Sequence, residues 1–358
     1  MDSDRSETLR QAVLDAAASK TPLAIQGGGS KAFFGRPASP DAVPLEAAGH
    51  RGIVSYEPSE LVLTARAGTP LAEIEAKLAM NGQMLPFEPP HFGDGATLGG
   101  AVAAGLSGPR RPFAGAVRDA MLGCRIINGQ GEILSFGGQV MKNVAGFDLA
   151  RLMAGALGTL GVLLEVSVKV LPRPECERTL AFPMTGAEAI EAMSAWCDEP
   201  WPISGLANDE SWTFLRLSGA EPAVAAAHQK LGGAPAMDEA GFWQSLKEQR
   251  GRFFDYPHLG ARLWRLSLAP ATPPLDLPGH WFYDWGGAQR WLRSDAPADA
   301  VFSAAARVGG HAALFRGESE DGRVFQPLPP QLHALQANLK RAFDPHGILN
   351  PGRLYEDL

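Results

Sequence analysis

The residues that could do chemistry in this chain are, for the most part, ones without side chains. Gly27-Gly28-Gly29-Ser30 follows the short apolar run Leu23-Ala24-Ile25-Gln26. Thr97-Leu98-Gly99-Gly100 opens a tract of small residues that closes at Ala104-Gly105. Asn143-Val144-Ala145-Gly146-Phe147-Asp148 and Gly158-Thr159-Leu160-Gly161-Val162 follow. Glycine lets the backbone come within hydrogen-bond distance of a ligand. Successive main-chain N–H groups in such bends form a nest for an anion. The pattern reads either as a backbone-lined ligand cradle or as a tightly turned β-rich core.

Gly27, Gly29 and Ala32 also match the loose dinucleotide fingerprint, which permits alanine at its last position. That fingerprint counts only where a helix opens. Gly35 and Pro37 follow at once, so no helix is expected. No second strand ending in an acidic residue is evident at the usual distance. The Rossmann reading is therefore rejected. The nest stays, with a plain surface loop as its alternative.

Stepping outward, periodicity supplies the elements that would hold these turns. Leu9, Ala12, Val13 and Ala16 recur with helical spacing, as do Leu71, Ile74 and Leu78. Strands are expected over 23–26, 53–56 and 61–65, and a hairpin over 121–127 and 132–136 around Asn128-Gly129-Gln130-Gly131. Thr97-Leu98-Gly99-Gly100 reads as a turn. Asp148 is expected to cap a helix over 149–154, and 162–171 is a β-branched strand ended by Pro172-Arg173-Pro174. Beyond it all eight tryptophans occur, and short strands (212–217, 262–268, 312–315) alternate with helical segments (186–197, 222–231, 287–293). The tryptophans are expected mostly in cores and interfaces. Leu332, Leu335, Leu339 and Phe343 mark a last amphipathic helix.

The order of the glycine motifs resembles the FAD-binding domain of the flavin-linked oxidases, the family of vanillyl-alcohol oxidase and p-cresol methylhydroxylase. Leu106-Ser107-Gly108-Pro109-Arg110-Arg111-Pro112, the run from Phe136 to Asn143, and the tail Gly347-Ile348-Leu349-Asn350-Pro351-Gly352-Arg353 are similar to the E-subunit branch of bacterial glycolate oxidases. The resemblance implies an α+β fold. A p-cresol-methylhydroxylase-type FAD-binding domain of two α+β subdomains would span 1–174. An α+β cap domain would follow over 175–330, and 331–358 would return to the flavin.

It further implies that FAD is held by Gln26, Gly27, Gly28, Gly29, Ser30, Pro89, Thr97, Leu98, Gly99, Gly100, Ala104, Gly105, Asn143, Gly146, Asp148, Gly158, Thr159, Gly161, Val162 and Asn350. Some relatives tether the flavin through a histidine in the first loop. Here Ser30 and Lys31 stand there, so the FAD is expected to be non-covalent. His91, after Pro89-Pro90, is read as a turn residue rather than a tether.

Catalytic relatives carry a histidine-rich metal segment in the cap. Here Gly309-Gly310-His311 keeps one histidine, and a lone imidazole makes no metal site. Oxidising a small 2-hydroxy acid needs a base for the hydroxyl proton. His311 is the candidate base and Arg316 the candidate for the carboxylate. The alternative for His311 is a hydrogen-bonded strand end. Arg110 and Arg111 suit a carboxylate, the flavin or a partner's acids.

The expected partners are a paralogous FAD-binding catalytic subunit and an iron–sulfur subunit. Two other readings stay open: a self-sufficient 2-hydroxy acid dehydrogenase, and a flavoprotein scaffold without turnover.

Composition narrows the rest. The 358 residues suffice for two or three domains. A net charge of −7 gives no electrostatic support to a nucleic-acid partner. The polar N-terminus is no signal peptide, and the most apolar run, 152–164, is too short to insert in a bilayer. A cytoplasmic protein is expected. The three cysteines are too few for the four thiolates of an iron–sulfur cluster.

Overall fold

The computed structural model describes residues 3–138, 148–255, 262–319 and 321–358. They form two compact units. The first comprises 1–106, 116–172 and 327–358; the second comprises 107–115 and 173–326. The sequence placed 107–115 with the N-terminal domain. It packs instead within the second unit, where the indole N–H of Trp285 donates to the Gly108 carbonyl at 3.0 Å.

In the first unit an antiparallel sheet runs in the order Ile53–Glu57, Val62–Arg66, Val162–Lys169, Met121–Ile127, Ile133–Gly137. Alternate residues of its strands meet the helix Leu71–Ala79, whose Leu71, Ile74 and Leu78 are fully buried. A second core lies under the helix Ser6–Ser19, where Leu9, Val13 and Ala16 meet Leu23, Val162 and Leu349. The hairpin turn is closed by Asn128, whose side-chain oxygen accepts from the N–H groups of Gln130 and Glu132.

Three local readings change in this unit. Thr97 to Gly100 is not a simple turn: Thr97 caps the helix Leu98–Ala104 and accepts from the Gly100 N–H at 3.1 Å. Its small residues hid the helical period. Asp148 caps no described helix; it pairs with Arg151 at 2.9 Å, and the segment after it is a short 3₁₀ turn, Ala150–Met153. A second strand does follow the first glycine loop. Val43–Glu46 pairs in parallel with Leu23–Gln26 and ends in an acidic residue. No helix connects the two, so the dinucleotide helix is still lacking among the described residues.

The second unit is one antiparallel sheet of eight strands. Their order is Ala234–Pro235, Cys176–Pro183, Trp212–Gly219, Ile203–Asn208, His280–Asp284, Gln289–Arg293, Leu263–Ser267, His311–Arg316. One face packs the helices Gly186–Cys197, Glu221–Leu231 and Ala298–Arg307 over Leu206, Leu215, Trp264, Leu292 and Leu314. The segment 287–293, expected to be helical, is mostly strand. Gly286 and Gly287 take left-handed φ values of 63° and 91°. That bend returns Gln289–Arg293 between two strands, whose ladder overrides local propensity.

Candidate functional site

In the first unit a cleft of about 380 Å³ is lined by the first glycine loop, the start of the Thr97-capped helix, the 157–163 turn and the tail. Of the residues expected around FAD, Gln26, Gly27, Gly28, Gly29, Ser30, Thr97, Gly99, Gly100, Ala104, Gly158, Gly161, Val162 and Asn350 form its wall. Lys31 and Arg353 join them.

The glycines of the wall divide by role. A Cβ on Gly27 would stand 2.7 Å from the Thr97 hydroxyl, and one on Gly99 would stand 2.6 Å from the Ala67 methyl. These positions are small so that the chain can pack on itself. Gly29 differs, because a Cβ there would meet no atom within 4 Å. Its φ of +72° turns the loop while its open side faces the cleft.

The loop's donors carry the chemistry. Among the described residues nothing accepts from the main-chain N–H groups of Gly27, Gly28, Gly29 or Ser30. Gly27 and Ser30 are half-buried, where an amide normally has an acceptor, while Gly28 and Gly29 are open to solvent in the cleft. A run of four free donors is a nest in want of an anion, which is the demand a diphosphate meets.

The loop's shape is set from the far end of the chain. The Arg353 guanidinium donates to the carbonyls of Phe34 (2.8 Å) and Arg36. Asn350 accepts from the Ile25 N–H at 2.7 Å and donates to the Leu157 carbonyl at 2.6 Å. One side chain thus joins the strand before the nest to the turn across the cleft. Behind it the buried Lys340 ammonium donates to Asp344 (2.8 Å), Thr159 O (2.9 Å) and Leu349 O (2.6 Å).

The remaining expected residues stand off the cleft wall. Leu98 is fully buried in the core. Thr159 is buried and donates to the Ala156 carbonyl at 2.7 Å. Gly105 ends the helix at φ +65°. Pro89 is buried elsewhere, and Asp148 is held by Arg151. Asn143 and Gly146 lie outside the described residues. His91 is not in the wall either; its Nε2 lies 3.2 Å from the Glu75 carboxylate.

In the second unit His311 and Arg316 occupy opposite ends of one strand. Five residues of extended chain separate them by roughly 16 Å, so they do not converge on one small ligand. Arg316 sits in the surroundings of Arg293 and Asp255. His311 has other neighbours. Its strand pairs Ser267 with His311 and Arg265 with Ala313. That register makes Arg265 and His311 diagonal neighbours on one sheet face, roughly 7–8 Å apart at the backbone and within reach of a long side chain. Although His311 stands exposed at its strand end, desolvation of the imidazole, then Arg265 and Arg111, holds it below its ordinary 6.5. It is therefore neutral at pH 7.

Arg111 lies over the Trp285 ring with its guanidinium carbon 4.2 Å from the centroid. Arg110, its sequence neighbour, is buried and pairs with Glu177.

Sequence reasoning missed Arg265 and Arg353. A cation set between the apolar Trp264 and Leu266 in a strand was the available signal for the first. Nothing local marks the second, since its acceptors lie more than 300 positions away in the chain.

Residues 4–137 match the FAD binding domain family. The chain is 50% identical over 355 residues to glycolate oxidase subunit GlcE of Escherichia coli (strain K12), covering 99% of each. It is 29% identical over 161 residues to glycolate oxidase subunit GlcD of Bacillus subtilis (strain 168), covering 45% of this chain and 34% of that one. Among solved structures, p-cresol methylhydroxylase with substrate bound superposes with a TM-score of 0.74 at 16% identity, covering 100% of this chain and 88% of that one. At that identity the likeness speaks for the fold, a mixed helix-and-sheet architecture of the p-cresol methylhydroxylase type.

Proposed function

Because the chain belongs to the glycolate oxidase GlcE family of FAD-linked oxidoreductases, we propose that it is an FAD-binding subunit of a complex oxidising glycolate to glyoxylate. The observation that carries this reading is the run of four N–H groups, Gly27 to Ser30, in the cleft wall that have no acceptor among the described residues. FAD, when bound, supplies the two-electron acceptor and can release its electrons singly.

The chain's own residues do the holding. The nest at Gly27–Ser30 would take the diphosphate. Asn350 and Arg353 fix the loop that presents it. Gly29 and Gly100 leave the wall free of side chains. Asn143, Gly146 and Asp148 belong to the same proposal by family resemblance. The bond to the flavin is non-covalent: Ser30 and Lys31 occupy the loop, and His91 stands beside Glu75 off the wall.

Its partners would be a GlcD-like FAD subunit and an iron–sulfur subunit. The support is the chain's three cysteines, too few for a four-thiolate cluster. On this reading, electrons that leave the flavin for an iron–sulfur centre pass to a second chain. No helix among the described residues is long and apolar enough to cross a membrane. The proposed location is the cytoplasm, with any membrane association made through partners.

One observation favours a second reading, a self-sufficient 2-hydroxy acid dehydrogenase. His311 is neutral beside two arginines, as a base for a hydroxyl next to a carboxylate would be.

The test is purification of the chain co-expressed with its neighbouring subunits. A yellow protein that releases FAD into the supernatant on acid precipitation supports the flavin reading. A colourless chain with no adenine-containing extract after boiling overturns it. Anaerobic mixing of the isolated chain with glycolate or D-lactate then separates the two readings, because bleaching of the flavin band requires independence. If only a partner can reduce the chain's flavin, the complex-bound role stands. A flavin that no partner reduces leaves a scaffold.

A further inference from the structure

We propose that Arg265, flanked by Arg111 and His311 in the second unit, is the anchor of a seat for a small carboxylate. This deepens the reading above, on which the choice of glycolate as ligand rests; the seat itself is a property of the second unit.

Four other arginines of this unit, three of them buried and Arg293 half-buried, are provided with acceptors. Arg216 donates to the Ser204 hydroxyl and carbonyl at 2.9 and 3.0 Å. Arg290 donates to the carbonyls of Gly287 (3.1 Å), Pro273 (2.9 Å) and Thr272. Arg293 donates to Phe253 O at 3.3 Å and to Phe254 O. Arg110 has Glu177. Arg265 makes no hydrogen bond and no ion pair with any described residue. It is a half-buried guanidinium whose charged neighbour is a second arginine. Withdrawing a cation from water without an acceptor is costly. Among the described residues these four arginines have acceptors and Arg265 has none, which leaves that fork for something else.

The surroundings choose the class of ligand. Arg111 adds a second positive charge, and burial together with Arg111 pushes the Arg265 group down to about 10, which leaves it cationic at neutral pH. Ser267 and Gln289 continue the same face in register with His311. The carboxylate in that row, Asp284, stands three strands across from His311, roughly 14 Å away by strand spacing. Its oxygens already accept from the Trp285 N–H and the Gln289 amide. Two guanidiniums and a neutral imidazole suit a planar anion with an adjacent hydroxyl: the planar fork grips the carboxylate, and the imidazole accepts from the hydroxyl.

The experiment is calorimetric titration of the purified, flavin-loaded chain with glycolate at low salt, against glycolamide as the neutral isostere. The expected result is saturable glycolate binding, at least tenfold weaker glycolamide binding, and at least tenfold weaker glycolate binding in Arg265→Gln. Arg307→Gln, on the exposed helix surface, serves as the charge control and should bind like wild type. In wild type, glycolate should also raise the His311 imidazole pKa followed by NMR. Flavin absorbance is read in every sample, so a colourless protein reports on the flavin reading and not on the seat. The proposal is overturned if wild type shows no saturable binding, if glycolamide binds as well as glycolate, or if Arg265→Gln binds like wild type. Should Arg265→Gln fail to fold, the glycolamide comparison and the His311 shift decide the matter on wild type alone.

Discussion

Gly28 and Gly95 share a space that admits no side chain: a Cβ built on Gly28 would lie 1.4 Å from the Gly95 carbonyl oxygen. The contact is backbone against backbone, so no rotamer change can relieve it. Gly28→Ala must displace either the nest or the loop before the Thr97-capped helix. Overpacking of this kind costs typically about 1–3 kcal/mol. The expected outcome is a lower melting temperature together with flavin loss, read by differential scanning fluorimetry and the absorbance ratio. Retention of full flavin content in Gly28→Ala would argue that this loop is not the cradle.

Asn350 couples two walls of the cleft through hydrogen bonds of 2.7 and 2.6 Å. Its φ of +43° is one that asparagine tolerates better than most residues. Asn350→Ala leaves the Ile25 N–H and the Leu157 carbonyl without their partner, at about 1–3 kcal/mol for each unsatisfied buried group. FAD affinity should fall with stability. Asn350→Asp should be milder at the Ile25 N–H and worse at the Leu157 carbonyl, since a carboxylate accepts but does not donate. Equilibrium dialysis of FAD against both variants checks the order.

Lys340 and Asp344 form a buried pair, one helical turn apart, that holds the tail. Removing one partner of such a pair costs about 3–5 kcal/mol, because the other charge stays buried. Lys340→Met should therefore be strongly destabilising in urea melts. The double variant Lys340→Met with Asp344→Asn should recover part of the loss. If the single and double variants melt alike, the pair carries no coupling.

His50 is buried, and its Nδ1 accepts from the Arg5 N–H at 3.0 Å, so the folded state prefers the neutral ring. Burial holds its pKa below 6.5 despite the opposing charge of Asp4. The unfolded chain thus binds the extra proton first as pH falls. Stability from this group is fully present above 6.5 and is lost between 6.5 and the lower folded pKa. His311 acts with the same sign. Unfolding free energies at pH 7.5 and pH 5 should differ in wild type. The difference should shrink in His50→Asn. An unchanged pH slope in that variant would remove His50 from the account.

Much of the first unit was legible because its signals are local. Leu71, Ile74 and Leu78 announced their helix by spacing, and Asn128 to Gly131 announced the hairpin. The second glycine motif misled for a related reason. Gly99 and Gly100 look like a turn, yet Thr97 supplies a cap and the helix follows. The strand Val43–Glu46 was missed because Val43-Pro44-Leu45-Glu46 is short and lies at the edge of a two-stranded pair. The segment 287–293 was misread because a seven-residue stretch of mixed polarity is too short to show a decisive period.

The sequence by itself determined where side chains had to be absent, and hence where a ligand could approach the main chain. Only the tertiary structure decided which donors are left over. The amides of Gly27 to Ser30 and the guanidinium of Arg265 are distinguished by having no acceptor among the described residues. Arg353 and Asn350 matter for what they reach across more than 190 positions of chain. The physical reason is that side-chain spacing follows from the repeat of one helix or strand, whereas a hydrogen-bond acceptor is assigned only when distant segments have packed and the acceptors have been shared out.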